Sequence, residues 1–115
     1  MECNLNQIWD EYPYAVTVSD LNGVIIYMNN KASDTFASDG GKSLIGKNLA
    51  DCHSQRSKDI IDRMVSTGTS NTYTIEKKGV KKLIHQAPWF KNGKVAGLVE
   101  ISIVLPENMP HFVRS

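Results

Sequence analysis

The stretch SDLNGVIIYMNN, residues Ser19–Asn30, decides how the rest of the chain is read. Asp20-Leu21-Asn22-Gly23 is a turn tetrad: Asx side chains bond the backbone two residues on, and glycine takes positive φ without a Cβ clash. The residues before it, Ala15–Ser19, include β-branched Val16, Thr17 and Val18. Those after it, Val24–Met28, are an unbroken apolar run of strand length, so the unit reads as a β-hairpin. Asn29 and Asn30 stop the second strand and are suited to cap a helix beginning near Lys31.

Working outward towards the N-terminus, Leu5, Ile8, Trp9 and Tyr12 stand at i, i+3, i+4 and i+7, one stripe of a short amphipathic helix that Pro13 ends. A helix this short is marginal alone, so its stripe is expected to dock on the outer face of the chain's sheet or on a second subunit.

Towards the C-terminus, Lys31–Phe36 reads as a brief helix, Ser38-Asp39-Gly40-Gly41 as a loop and Leu44–Leu49 as a helical turn. Ser54 or Ser57 caps the main helix, with Asp59 expected in its first turn, Ile60, Ile61, Met64 and Val65 as its apolar stripe, and Gly68 at its end. Three strands follow. Thr69–Glu76 turns through Lys77-Lys78-Gly79 into Val80–Ala87, and Pro88 ends regular pairing or sits at an edge. Lys91-Asn92-Gly93 then turns into Val95–Leu105. Two strands, helices and three strands predict an α+β fold with one five-stranded antiparallel sheet and helices on one face.

The totals exclude several classes. At 115 residues, 41% hydrophobic and 22% charged, the chain has room for one domain with one modest core. A net charge of +1 lacks the electrostatic footprint of a nucleic-acid binder, so no nucleic acid is expected as a partner. No apolar run approaches the roughly 18 residues of a membrane span, and no signal peptide opens the sequence. Cys3 and Cys52 are too few for a disulfide framework, and no metal-ligand spacing occurs. A cytoplasmic protein without a membrane partner is the expectation. No Ser-His-Asp or Cys-His pairing, Walker-type loop or carboxylate pair is present, so no catalytic residue is assigned. The adjacent Asp51, Cys52 and His53 point in different directions.

Strand, D-x-x-G turn, strand and Asn-capped helix is the opening signature of a PAS sensory domain, and the chain resembles that family from about Pro13 to Val104. Pro13 matches a proline that often precedes the first strand. Asp20, Gly23 and Asn29 match the D-x-x-G-x-x-x-x-x-N pattern, Leu44-Ile45-Gly46-Lys47 the L-I-G-K/R step, and Gly93-Lys94-Val95 with Gly97 the final hairpin. The resemblance divides the chain into an N-terminal helix (1–13), a PAS domain (14–105) and a proline-containing tail (106–115). Many such domains end in an Asp-Ile-Thr step that feeds an output helix. Here Ser102-Ile103-Val104 stands in that place, and Pro106 and Pro110 prevent a helix from starting there. The 115 residues hold no kinase, cyclase or DNA-reading segment, so a sensor or adaptor without its own effector is expected.

The resemblance raises haem and flavin as cofactors, and the residues argue against both. Flavin-binding light sensors of this fold carry a G-x-N-C-R-F-L-Q type motif. Gly46 and Asn48 match it, but Leu49 stands where the reactive cysteine belongs and Cys52 comes three residues late. His53 lies where haem-sensing relatives place a ligand, yet a lone histidine more often caps a helix or bonds a carbonyl. The cofactor is therefore left unknown, and no metal is assigned.

Two arguments about the sheet's inner face conflict. Period-2 reasoning sends the apolar set inward. The flavin-binding relatives imply the opposite parity, because a ligand-facing glutamine on their last strand corresponds to Glu100. That parity turns Thr17, Ser19, Thr74, Ile84, Gln86, Leu98 and Glu100 inward, and it is the one adopted, since it also gives the N-terminal helix a surface to cover. Candidate ligand-binding residues are then Thr74, Ile84, Gln86, Leu98 and Glu100, with His53 and Met64 from the helical side. Trp9, Tyr73, Leu83, His85, Trp89, Val99, Ile101 and Ile103 become the candidate outer, dimer-forming face. A sensory module is expected, taking a small ligand in the helix–sheet cleft and working through an unidentified signalling partner and a homodimer. The alternatives are a ligand-free dimerisation adaptor and a haem or flavin sensor.

Overall fold

The computed structural model describes residues 4–49 and 54–115. In chain order the elements are α1 (Leu5–Asp10), β1 (Ala15–Asp20), β2 (Ile25–Met28), α2 (Asn30–Thr35), two short 3-10 turns (Ala37–Asp39 and Gly41–Leu44), α3 (Gln55–Thr67), β3 (Asn71–Lys77), β4 (Val80–Lys91) and β5 (Lys94–Val104). The strands form one antiparallel sheet in the order β2-β1-β5-β4-β3. This is the expected α+β architecture, with two strands before a helical middle and three after it.

Local chemistry explains the opening hairpin. Asp20 Oδ1 accepts from the backbone N–H of Asn22 at 2.9 Å and of Val24 at 3.0 Å, an Asx turn that reverses the chain. At the end of β2, Asn29 is fully buried, with 0% exposure. Its Oδ1 accepts from the N–H of Ala32 at 2.9 Å, capping α2, and from the N–H of Val16 at 3.0 Å. Its Nδ2 donates to the Tyr14 carbonyl at 2.8 Å. One side chain thus starts a helix and ties it to the first strand. Ala15, Ile25, Met28, Ala32 and Leu44 bury around this joint, with Phe36 and Leu49 packed against them.

α3 is capped by Ser54, whose hydroxyl accepts from the N–H of Ser57, and it ends at Gly68 in the left-handed conformation. Asp59 falls beyond the first turn, contrary to expectation, and instead accepts from Gln55 Nε2 at 2.9 Å, one turn away on the helix surface.

Both closing hairpins use two-residue turns, Lys78-Gly79 and Asn92-Gly93, with φ of 53° and 78° in each. Positive φ at both central positions gives a twist that matches the flanking strands. Pro88 lies within β4 rather than ending it. Its residue pairs with Leu98 on β5, whereas the β3 ladder stops at Asn71 opposite Gln86. The missing N–H therefore falls where β4 has a partner on one side only.

Near the second hairpin the β4–β5 pairing slips between Trp89 and Phe90, because Val95 faces Phe90 while Gly97 faces Trp89. The extra residue, Ala96, makes a bulge. Beside it the Trp89 indole crosses Gly97, and its Nε1 donates to the Ser19 carbonyl at 2.9 Å on β1. A Cβ on Gly97 would collide with that carbonyl and with the indole nitrogen.

α1 is held by a capping box between Asn4 and Gln7 and by one tether, the Tyr27 hydroxyl donating to Asp10 Oδ1 at 2.7 Å. Its stripe stays open within the chain: Leu5 is 71% exposed and Trp9 40%. Of the two surfaces expected to cover this stripe, the sheet's outer face and a second subunit, the chain's own sheet leaves it open, and the helix is tied at its C-terminal end through Asp10.

Candidate functional site

Register fixes which side chains share the inner face. Asn71 pairs with Gln86, Gln86 with Glu100, and Glu100 with Thr17, so these four lie side by side across β3, β4, β5 and β1. The side chains are linked in series. Asn71 Nδ2 donates to Gln86 Oε1 at 3.0 Å, and Gln86 Nε2 donates to Glu100 Oε2 at 3.1 Å.

This ladder forms one wall of a cleft of about 630 Å3, within the usual size of small-molecule sites. Ile60, Ile61, Ser57 and Arg56 of α3 face it, and Ile25, Met28, Phe36, Leu44 and Leu49 make an apolar floor. A smaller chamber of about 40 Å3 continues behind the ladder between Thr17, Ser19, Leu49, Ile61, Met64 and Leu98. At the opposite end the cleft opens past Tyr73, Ile75, Lys82, Ile84 and Ser102.

Of the residues proposed from sequence for a ligand, Gln86 and Glu100 lie in the main cleft, Leu98 and Met64 in the rear chamber, and Ile84 at the mouth. Thr74 is corrected: it pairs with Leu83 on the opposite face. His53, with Asp51 and Cys52, lies outside the described residues. Tyr73 is also corrected, from the outer face to the cleft, where it pairs with Ile84. A three-residue turn after Glu76 would put Thr74 inward. The two-residue turn at Lys78-Gly79 pairs Lys77 with Val80 and reverses the parity of β3 alone.

Partial burial and, next, the Glu100 carboxylate push the Tyr73 phenol above its ordinary value, which keeps it a neutral donor at the mouth. Asn71, Arg56 and the apolar floor were not singled out from sequence. Asn71 follows directly from Gln86 once the β3 register is known, so turn length was the missing signal.

The opposite face carries Leu83, His85, Trp89, Val99, Ile101 and Ile103, all half-buried. His85 Nδ1 shares a hydrogen with Thr72 Oγ1 at 2.8 Å. Trp89 is pinned to β1 rather than projecting. At the position relevant to flavin chemistry, Leu49 lines the cleft with an aliphatic side chain that supplies no thiol. Among the described residues no three His, Cys, Asp or Glu side chains group as metal ligands, and no helix is long and apolar enough to cross a membrane.

Comparison with known proteins agrees with this geometry. A family model described as the PAS fold matches residues 9–107. No curated protein matches the sequence. Among solved structures, a sensory box sensor histidine kinase from Vibrio cholerae superposes with a TM-score of 0.62 at 17% identity, over 89% of this chain and 90% of that one. A PAS domain from Colwellia psychrerythraea gives 0.63 at 19% identity, over 89% and 94%. The VqmA dimer of Vibrio cholerae, solved in the absence of target DNA, gives 0.68 at 20% identity, over 92% of this chain but 53% of that one. VqmA bound to DPO gives 0.69 at 20% identity, over 90% and 58%. This chain thus spans little more than half of VqmA, and at these identities the likeness is one of fold.

Proposed function

The chain belongs to the PAS family, and from that premise we propose that it is a cytoplasmic sensory module that takes a small molecule into the cleft and signals through protein contact rather than catalysis. The observation that carries this reading is the cleft itself: about 630 Å3, with an apolar floor, Ile60 and Ile61 beside Arg56 and Ser57 on the helical side, and an ordered polar ladder on the sheet side. A domain whose inner face served only as packing would fill that wall with hydrocarbon. Small-molecule sites combine an apolar lining with a few fixed polar groups in this manner. The DPO-bound form of VqmA shows that a protein of similar fold is found with a ligand.

The outer face and α1 form the signalling surface, and a second copy of the chain is the partner proposed for it. Leu5, Ile8, Trp9 and Tyr12 remain exposed beside a half-buried apolar sheet face. A two-fold pairing needs only one self-complementary patch. Signalling passes to a further protein, and no nucleic acid is read by these residues.

Native mass spectrometry with an absorbance scan of protein purified from cells tests the reading. A small organic adduct without a Soret or flavin band is the expected result. A haem or flavin band identifies a cofactor sensor instead, and a bare, colourless dimer identifies a ligand-free adaptor.

A further inference from the structure

We infer that the cleft selects a small nitrogen base, a molecule carrying N–H donors along one edge, such as an amidine or amino-heterocycle, with an apolar remainder. The inference rests on the reading of the cleft as a ligand site and names the chemistry that site takes. The polar ladder has a direction. Asn71 donates to Gln86 and Gln86 donates to Glu100, so both amides spend a donor towards the carboxylate. A carboxylate has about four lone-pair sites, and Gln86 occupies one. The ladder thus presents an acceptor end with spare capacity to whatever enters.

The second observation lies immediately behind it. Ser19 is only 3% exposed, and its Oγ is buried with no hydrogen-bond partner. It lines the rear chamber together with Glu100 and Thr17. Buried hydroxyls normally find partners, and one left open beside a cavity marks a place for a polar group from outside. At about 40 Å3 the chamber exceeds the roughly 10–15 Å3 that one water needs, which leaves room for a small polar group such as an amino group. An N–H edge reaching past Glu100 meets the carboxylate first and the Ser19 oxygen next.

Charge sets the discrimination. Arg56 and Asp39 both face the main cleft and neither is part of the chamber, where Glu100 is the charged side chain and Leu49, Ile61, Met64 and Leu98 supply hydrocarbon. An anionic ligand in the chamber would set like charges together in a poorly solvated place, which disfavours both. A cationic or strongly donating edge is favoured for the same reason, and charge-assisted hydrogen bonds are the stronger kind.

Three probes of matched size test this on the unmodified protein: benzamidine, benzoate and benzyl alcohol, followed by amide NMR shifts and calorimetry. Benzamidine is expected to bind and to shift Ser19 and Leu98, and benzoate to bind at least tenfold more weakly. Glu100→Gln is expected to weaken benzamidine at least tenfold and Ser19→Ala about threefold. Benzoate binding as tightly as benzamidine, or benzamidine indifferent to Glu100→Gln, overturns the inference. The comparison of probes needs no variant, so it decides the matter even if a substitution unfolds the chain. Benzyl alcohol or benzoate binding that Ile61→Trp abolishes, with benzamidine inert, refutes the nitrogen base but leaves the ligand-binding cleft standing. If no probe binds and no adduct accompanies the purified protein, both readings fall.

Discussion

At Asn29 a single amide is shared among the N–H groups of Val16 and Ala32 and the carbonyl of Tyr14. Alanine there removes a helix cap, worth about 0.5–2 kcal/mol, and strands two further backbone groups in a buried joint, at about 1–3 kcal/mol each. Asn29→Ala should therefore cost about 3 kcal/mol or more in urea unfolding. Asn29→Asp keeps the two acceptor bonds, loses the donor, and should fall between the two. Gly97 fails differently. Its Cβ would occupy space that the Ser19 carbonyl and the Trp89 indole already fill. Gly97→Ala should cost about 1–3 kcal/mol, as overpacking does, and should shift Trp89 fluorescence when measured in a Trp9→Phe background. Asn29 and Asp20 were visible in the sequence, because a cap and a turn are fixed by residues within a few positions of each other. The demand on Gly97 was not, because it comes from Ser19 and Trp89, which only the folded sheet brings beside it.

The strands and α1 show where such reading stops. Gln86 and Glu100 share a face only because Ala96 is extra at the β4–β5 bulge, while Tyr73 rather than Thr74 joins them because the β3–β4 turn holds two residues, not three. Each is a one-residue matter that hydrophobic alternation cannot settle, since both faces mix the two kinds: Ile84 and Leu98 lie inward beside Gln86 and Glu100, and Thr72 and Thr74 lie outward beside His85 and Leu83. The fold was therefore legible, and so were Gln86 and Glu100, whereas the neighbours that complete the site were not. α1 hangs on the Tyr27–Asp10 bond. Burial first, then the hydrogen bond to Asp10 and its charge, push the Tyr27 phenol from 10.0 to about 12. In the unfolded chain it titrates near 10, so above that pH the unfolded state releases a proton that the folded state retains. The stability it contributes is whole below pH 10 and is lost as the pH climbs to about 12. Urea midpoints measured across this window should fall less steeply in Tyr27→Phe, with a residual slope from Tyr73, whose phenol is raised as well.

For the whole molecule, the proposed dimer makes two substitutions informative together. Ile101 sits between Val16 and His85 on the outer face, half-buried in the isolated chain. Ile101→Glu should halve the mass seen by light scattering while circular dichroism and benzamidine binding stay as they were. Trp9→Ala should lower the melting temperature of that monomer only modestly, since Trp9 is 40% exposed in the single chain, yet should weaken the dimer. A monomeric parent protein, or an Ile101→Glu chain that unfolds outright, would defeat the proposal. The strand order carries a consequence of another kind, one of timing. β1 lies between β2 and β5, and Ala15 pairs with Ser102, nearly the whole described chain away. As the polypeptide leaves the ribosome, the β1–β2 hairpin and α2 can assemble at once, but the centre of the sheet waits for Lys94–Val104 to emerge. Until then one edge of β1 is open to any passing strand, a chaperone's included. Stalling synthesis before Gly97 would leave the early half without its principal partner and exposed to proteases, so the cleft can close only once β5 has been made.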